Sequence, residues 1–241
     1  MTPLVFVHGF MGGAAQWAGQ VAVFGDRPVV AIDLPGFGDR ADEAVPNTIP
    51  GFAEAALAEI DRRGIGAFDL VGHSMGGMIV QEMAVRAAGR LGRLVLYGTG
   101  PTGALENRFE SFEASKARAS ADGALATARR IAANWFADGA EATGYAGCAA
   151  IAELASLAAM HAGFDAMAAW RGIGGLDRIA CPTLVLWGER DRSYGWRETE
   201  ALWRGIPGAA LAVVPGAGHA VHLEDEPLFN LLLARFLVAN G

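Results

Sequence analysis

The sequence predicts an α/β fold built on a mostly parallel sheet, and two patterns carry this prediction. Six short apolar runs rich in Val, Leu and Ile lack the polar–apolar alternation of half-exposed strands, as expected for strands that are buried on both faces. Helical patterns separate most of these runs, and alternating strands and helices are typical of parallel sheets covered by helices. The predicted strands are Leu4–Val7, Pro28–Ile32, Phe68–Val71, Leu94–Tyr97, Thr183–Trp187 and Leu211–Val214.

Five helices are predicted between or after these strands. The last of them has Phe229, Leu233 and Phe236 at helical spacing, and Pro227 stands in its first turn, where proline is well tolerated. The predicted helices are Gln16–Phe24, Phe52–Arg63, Met75–Ala88, Trp196–Arg204 and Pro227–Val238.

The alternation stops between Tyr97 and Thr183, where the sequence is alanine-rich and has a helical pattern throughout. We therefore expect a core domain made of residues 1–100 and 179–241, with residues 101–178 inserted between two strands as a helical lid. Two apolar helix faces are predicted in the lid, one with Leu125, Ile131, Trp135 and Phe136 and the other with Ile151, Leu154, Leu157 and Ala158.

Composition excludes several classes of function. Of the 241 residues, 52% are hydrophobic and 19% are charged, which predicts a large core rather than a disordered chain. The net charge of −7 argues against binding to nucleic acid or to an anionic membrane surface. No long apolar stretch or basic leader indicates a membrane span or a secretory signal, so a cytoplasmic location is expected. Because Cys148 and Cys181 lie far apart and form no C-x-x-C motif, we expect reduced thiols and no metal site.

The strongest functional signal is a nucleophile elbow that follows the predicted strand Phe68–Val71. Its sequence is Gly72-His73-Ser74-Met75-Gly76-Gly77. A G-x-S-x-G motif between a strand and a helix forms a sharp turn, which exposes the serine hydroxyl beside the N–H groups of the helix N-terminus. The pattern predicts Ser74 as a nucleophile, rather than an incidental serine in a glycine-rich turn.

A serine nucleophile needs a base, and the base needs an orienting acid. His219 and Asp191 each follow a predicted strand, at the sheet edge where sites in open α/β folds collect. We predict His219 as the base and Asp191 as the acid. His222 is the alternative base, and Glu189 and Asp225 are alternative acids.

Acyl transfer also needs hydrogen-bond donors for the developing oxyanion. The N–H of Met75, next to the nucleophile, is one predicted donor. The second should come from the glycine-rich loop that follows the first strand, where we predict the N–H of Phe10 and, as the alternative, that of Met11.

Together these motifs resemble the α/β-hydrolase superfamily. The matching segments are His8-Gly9-Phe10, Asp33-Leu34-Pro35-Gly36-Phe37-Gly38, the Ser74 elbow, Gly188-x-x-Asp191 and Gly218-His219. They occur in the family's order over nearly the whole chain, so the resemblance implies the α/β-hydrolase fold and its catalytic triad. Family members usually have a β-hairpin before the His-Gly strand, which here begins almost at Met1. We therefore expect about six strands, all or nearly all parallel.

The resemblance leaves the reaction open, and we favour a serine hydrolase that acts on a small carboxylic ester or lactone. This chemistry needs no cofactor, so none is expected. The alternative is a lyase or C–C hydrolase, similar to the pyruvate-eliminating synthase of menaquinone biosynthesis, that acts on an acidic substrate. Met78 stands where that synthase family has arginine, and Ala220 stands where C–C hydrolases usually have tryptophan. A slow ligand receptor is a third hypothesis. The lid arginines that could bind an acidic substrate are Arg108, Arg118, Arg129 and Arg130.

The predicted partner is a small molecule, and the chain is expected to be a monomer or a homodimer. Four lid residues are predicted to bind the substrate, namely Arg108, Trp135, Phe136 and Trp170.

Overall fold

A computed structural model of the chain describes residues 1–103 and 110–238. Its six strands form one sheet in the order β2-β1-β3-β4-β5-β6, and every neighbouring pair is parallel. The prediction of a six-stranded parallel sheet is therefore confirmed. The strands are β1 (Leu4–Val7), β2 (Val29–Ile32), β3 (Phe68–His73), β4 (Leu91–Tyr97), β5 (Thr183–Gly188) and β6 (Ala210–Val214).

Both faces of this sheet carry buried apolar side chains, because successive side chains of a strand point to opposite faces. In β1, Val5 and Val7 belong to one core cluster, whereas Leu4 and Phe6 pack in a second cluster with Trp17. Both faces need apolar residues, which explains the missing polar alternation. The helices are α1 (Ala18–Val23), α2 (Ile49–Arg62), α3 (Met75–Arg86), α4 (Phe112–Asp122), α5 (Ala124–Asn134), α6 (Tyr145–Ala152), α7 (Leu157–Ala169), α8 (Trp196–Gly205), α9 (Val221–Glu224) and α10 (Glu226–Val238).

Helices α4 to α7 lie between β4 and β5, and we call the described residues 110–178 the helical insertion. The two connections between the insertion and the sheet run side by side. Thr102 forms an antiparallel bridge with Arg171, and the Gly172 N–H donates to the carbonyl of Pro101 at 2.8 Å. The division into a core domain and a lid stays a prediction.

The predicted apolar faces of the insertion are partly wrong. Leu125 is 50% exposed and Leu154 is 53% exposed. The helices also break where the prediction continues them, because the Ser156 hydroxyl accepts the Ala159 N–H at 3.1 Å and starts α7 as a new helix. Trp135 and Phe136 lie beyond the end of α5 and are buried there.

Among the described helices, none is by itself long and apolar enough to cross a membrane. Helices α6 and α7 meet the requirements of length and composition only when taken together, and they are bent by 98° at the break between them.

Candidate active site

Ser74 occupies the turn between β3 and α3 in a backbone conformation that non-glycine residues rarely adopt. Its φ is 56° and its ψ is −120°. The neighbouring glycines make this turn possible, because a Cβ on Gly72 would lie 2.4 Å from Val80 Cγ2, and one on Gly76 would lie 2.4 Å from the His8 carbonyl oxygen. The strand and the helix therefore approach closely, and the strained turn presents the serine as a nucleophile elbow does.

The His219 imidazole is hydrogen-bonded to Asp191 behind this turn. The distance from Nδ1 to Asp191 Oδ2 is 2.8 Å, and both side chains are almost completely buried. The other carboxylate oxygen, Oδ1, accepts the N–H groups of Ser193 at 2.7 Å and Tyr194 at 3.1 Å. Since Nδ1–H donates to the carboxylate, the neutral ring keeps its lone pair on Nε2, which is what a general base needs.

Ser74 and His219 line one small cavity of about 50 Å³. The structure thus brings together the predicted nucleophile and the predicted base. The cavity walls combine apolar and uncharged polar side chains, and the lining residues described by the structure include no Asp, Glu, Lys or Arg. The remaining lining residues are Phe10, Ile131, Asn134, Trp135, Phe164, Met167, Ser193 and Tyr194.

The loop after β1 brings backbone amides to the same place. A Cβ on Gly9 would lie 2.9 Å from the Cβ of Ser74, so the loop backbone touches the nucleophile. Within the described residues, neither the Phe10 N–H nor the Met75 N–H donates to a protein acceptor. Met11, the alternative donor, adopts a left-handed backbone conformation with a φ of 54°. Two amides beside the serine are therefore available to an oxyanion.

His8 fixes the conformation of this loop. Its Nε2 accepts the Leu34 N–H at 3.0 Å, and its Nδ1–H donates to the Gly9 carbonyl at 2.7 Å. Burial lowers the pKa of His8, which keeps the ring neutral and preserves this tautomer.

Sequence reasoning missed two buried side chains behind His219, those of Tyr97 and His73. The Tyr97 hydroxyl and His73 Nε2–H both donate to the His219 carbonyl oxygen, at 2.7 Å and 3.0 Å. The Nδ1–H of His222 donates in turn to the Tyr97 hydroxyl at 3.1 Å. The signal for Tyr97 was its position as the last residue of a central strand, beside the elbow.

Burial sets the protonation of this group. Desolvation lowers the pKa of His222 to about 3 and that of His73 well below its usual value, and it raises the pKa of Tyr97. The His222 ring is stacked on that of Trp17, with the ring centroids 4.4 Å apart, and it does not line the Ser74 cavity. His222 is therefore not placed to act as the alternative base.

The two alternative acids, Glu189 and Asp225, accept hydrogen bonds from backbone N–H groups rather than from His219. Glu189 accepts the Gly216 N–H at 3.1 Å, and Asp225 accepts the Leu228 N–H at 3.2 Å. Within the described residues, Asp191 is the carboxylate that contacts His219.

Of the predicted substrate-binding residues that the structure describes, one lines the Ser74 cavity and two do not. Trp135 lines the cavity, with its ring 6.5 Å from that of His219. Phe136 and Trp170 do not line it, since Phe136 packs against Tyr145 and the Trp170 Nε1–H donates to Glu82 on α3 at 2.9 Å. Arg108 lies outside the described residues.

Sequence reasoning missed the aromatic wall that α7 contributes. Phe164 lies on the buried side of this helix and packs against Phe10, with the ring centroids 4.7 Å apart. Gly163 leaves room for the Phe10 ring, because a Cβ there would lie 2.6 Å from it. The available signal was the spacing of Met160, Phe164 and Met167 along one helix face.

The three described arginines that could bind an acidic substrate do not line the Ser74 cavity, and each has a carboxylate within 4 Å. Their distances are 3.3 Å for Arg118 to Asp122, 2.6 Å for Arg129 to Glu153 and 3.8 Å for Arg130 to Glu110. In residues 1–103 and 110–238, no group of three or more His, Cys, Asp or Glu side chains could hold a metal ion.

Comparison with known proteins identifies the family. The sequence pattern of the Alpha/beta hydrolase family matches residues 4–230. The chain is 30% identical over 249 residues to the dihydrolipoyllysine-residue acetyltransferase component of the acetoin cleaving system of Pseudomonas putida. That match covers 98% of this chain but 63% of the relative, so the chain spans less than two thirds of that protein.

Two further matches cover nearly the full length of both proteins. The chain is 29% identical to the 2-succinyl-6-hydroxy-2,4-cyclohexadiene-1-carboxylate synthase of Klebsiella pneumoniae, over 98% of this chain and 94% of the synthase. The enol-lactonase from Burkholderia xenovorans superposes with a TM-score of 0.88 at 23% identity, over 99% of this chain and 92% of the lactonase, which shows the shared fold. From the match over residues 4–230, this chain belongs to the alpha/beta hydrolase family.

Proposed function

We propose that this chain is a serine hydrolase that cleaves small, uncharged carboxylic esters or lactones through an acyl-enzyme on Ser74. One observation carries the proposal: Ser74 shares a small cavity with the Asp191-bound His219, and the described lining has no formally charged carboxylate, lysine or arginine. Burying a charged substrate there without a partner would be unfavourable, so an uncharged substrate fits better.

In the proposed mechanism, Ser74 Oγ attacks the carbonyl carbon while His219 Nε2 takes the hydroxyl proton. Asp191 stabilises the resulting imidazolium, and the N–H groups of Phe10 and Met75 bind the oxyanion. Collapse of the tetrahedral intermediate breaks the ester C–O bond, and the departing alkoxide takes the proton from His219. Water, deprotonated by His219, then attacks the acyl-enzyme, releasing the acid and restoring Ser74.

A lyase that acts on an acidic substrate is the second candidate, favoured by the 29% identity to the Klebsiella pneumoniae synthase. Such an enzyme would need cations at the cavity, whereas Arg118, Arg129 and Arg130 do not line it and each has a carboxylate within 4 Å. Turnover of a carboxylate substrate, without Ser74-dependent turnover of any ester or lactone, would favour the lyase.

The test is hydrolysis of chromogenic esters from acetyl to decanoyl, and of small lactones, by the wild type and by Ser74→Ala. The matched control is Ser120→Ala, because Ser120 lies on the exposed surface of α4. We expect Ser74→Ala to lower kcat by at least about 10³-fold, with Ser120→Ala unchanged. A Ser74→Ala variant that keeps the wild-type rate would refute the proposal.

A further inference from the structure

Three residues of the helical insertion run beside both loops that carry the proposed base and acid. We call residues 135–137 the strap. The carbonyl of Trp135 accepts the Ala220 N–H at 2.8 Å, next to His219. The carbonyl of Ala137 accepts Arg192 Nη2–H at 3.0 Å, next to Asp191. The strap therefore contacts both loops through its backbone.

The Glu224 carboxylate joins the strap to the His219 loop. Its Oε1 accepts the Ala137 N–H at 2.6 Å, and its Oε2 accepts the Gly218 N–H at 2.7 Å. Glu224 is the last residue of α9, the short helix that begins two residues after His219. Hydrogen bonds to an ionised acceptor are roughly twice as strong as those between neutral groups, so this carboxylate is a firm link between two separate segments.

Close packing makes the link sensitive to small displacements. A Cβ on Gly218 would lie 2.7 Å from the Ala137 nitrogen and 3.0 Å from the Trp135 carbonyl oxygen, so loop and strap meet backbone to backbone. The Trp135 side chain also forms part of the cavity wall. A shift of the strap would therefore move the cavity wall and the loop of His219 together.

We propose that Glu224 is a positioning residue, which fixes the His219 loop against the strap and so keeps the imidazole aligned with Ser74. The proposal rests on the proposed function, because Glu224 acts through His219. It does not line the Ser74 cavity, and it transfers no proton in the reaction.

The test compares Glu224→Gln and Glu224→Ala with the control Glu189→Gln. Glu189 accepts the Gly216 N–H of the same loop at 3.1 Å but is exposed and makes no contact with the strap in the described structure. A catalytic group displaced by about 1 Å can lose about 100-fold in rate. We expect kcat to fall about 10- to 100-fold in both Glu224 variants, and the rate of Ser74 labelling by an organophosphonate to fall by a similar factor.

Two readouts separate positioning from simple stabilisation. A purely structural role would lower the melting temperature and leave kcat of the folded enzyme unchanged, so all rates are measured well below the melting temperature of each variant. The acidic limb of the pH–rate profile should stay at the wild-type pH, because Glu224 is not the titrating base. If Glu224→Ala does not fold, the isosteric Glu224→Gln, which keeps one acceptor oxygen, supplies the comparison.

Wild-type kcat and labelling rates in the Glu224 variants, or losses no larger than in Glu189→Gln, would overturn the inference alone. In that case the wild type would still show Ser74-dependent turnover. A wild type with no Ser74-dependent turnover and no labelling at Ser74 would instead remove the proposed function, and the inference with it.

Discussion

His219 is held from two sides, and each side controls a different property of the imidazole. Asp191 binds Nδ1 and so fixes the tautomer, while Tyr97 and His73 bind the carbonyl oxygen of the same residue and so fix its backbone. Burial lowers the pKa of His73 well below its usual value, so this ring stays neutral beside His219.

Buried neutral histidines should make the fold sensitive to acid. The pKa of His222 is lowered from 6.5 to about 3 in the folded chain. Between these two pH values the unfolded chain binds the proton and the folded chain does not, so the free energy of unfolding falls as the pH falls. At pH 4 this single group should cost about 3 kcal/mol relative to pH 7.

The variant His222→Asn tests this linkage, because its amide N–H can still donate to the Tyr97 hydroxyl but does not titrate. Urea denaturation of both proteins at pH 7 and pH 4 measures the effect. We expect the wild type to lose about 3 kcal/mol more than the variant between the two pH values. Equal losses would show that His222 does not control the acid sensitivity.

Among the elements, α7 sets the size of the cavity through Phe164. A cavity of about 50 Å³ holds about two water molecules, so it suits a short acyl group of about two carbons. Phe164→Leu removes ring atoms from the wall, and we expect the preferred acyl chain to lengthen by about one or two carbons. The ester panel used for the wild type measures the shift.

The control for this prediction is Phe112→Leu, because Phe112 packs 6.2 Å from Phe164 without lining the cavity. The Phe112 variant should keep the wild-type preference. Ile131 on α5 also lines the cavity, so Ile131→Ala should lengthen the preferred chain as Phe164→Leu does. An unchanged preference in both Phe164→Leu and Ile131→Ala would contradict this view of the cavity.

At the scale of elements, the sequence predicts structures that depend on neighbouring residues. It does not predict contacts between segments that are far apart in the chain. The strands follow from short apolar runs, and the Ser74 turn follows from adjacent glycines, so both predictions depend on neighbouring residues. Phe136 and Trp170 were assigned to the cavity from composition, but the direction of their side chains depends on where α5 and α7 end. Glu224 accepts hydrogen bonds from Gly218, 6 residues away in the chain, and from Ala137, 87 residues away. No local sequence pattern reveals that the same carboxylate links these two segments.

For the whole molecule, the net charge of −7 contrasts with a cavity whose described lining has no formally charged carboxylate, lysine or arginine. Long-range electrostatic attraction or repulsion acts on charged ligands and is screened by salt. We therefore expect kcat/KM for an uncharged ester to change by less than about twofold between low salt and about 0.5 M NaCl. A steep fall of kcat/KM with salt would instead indicate a substrate recognised by its charge, as the lyase alternative requires.

Covalent labelling with an organophosphonate is the decisive test of Ser74 as a nucleophile that His219 and Asp191 activate. The wild type, Ser74→Ala and His219→Ala are treated with an organophosphonate, followed by intact mass and peptide mapping. We expect one adduct on Ser74 in the wild type, none in Ser74→Ala, and labelling slowed by at least about 10²-fold in His219→Ala. An adduct at a residue other than Ser74, or labelling of His219→Ala at the wild-type rate, would refute the roles proposed for Ser74 and His219.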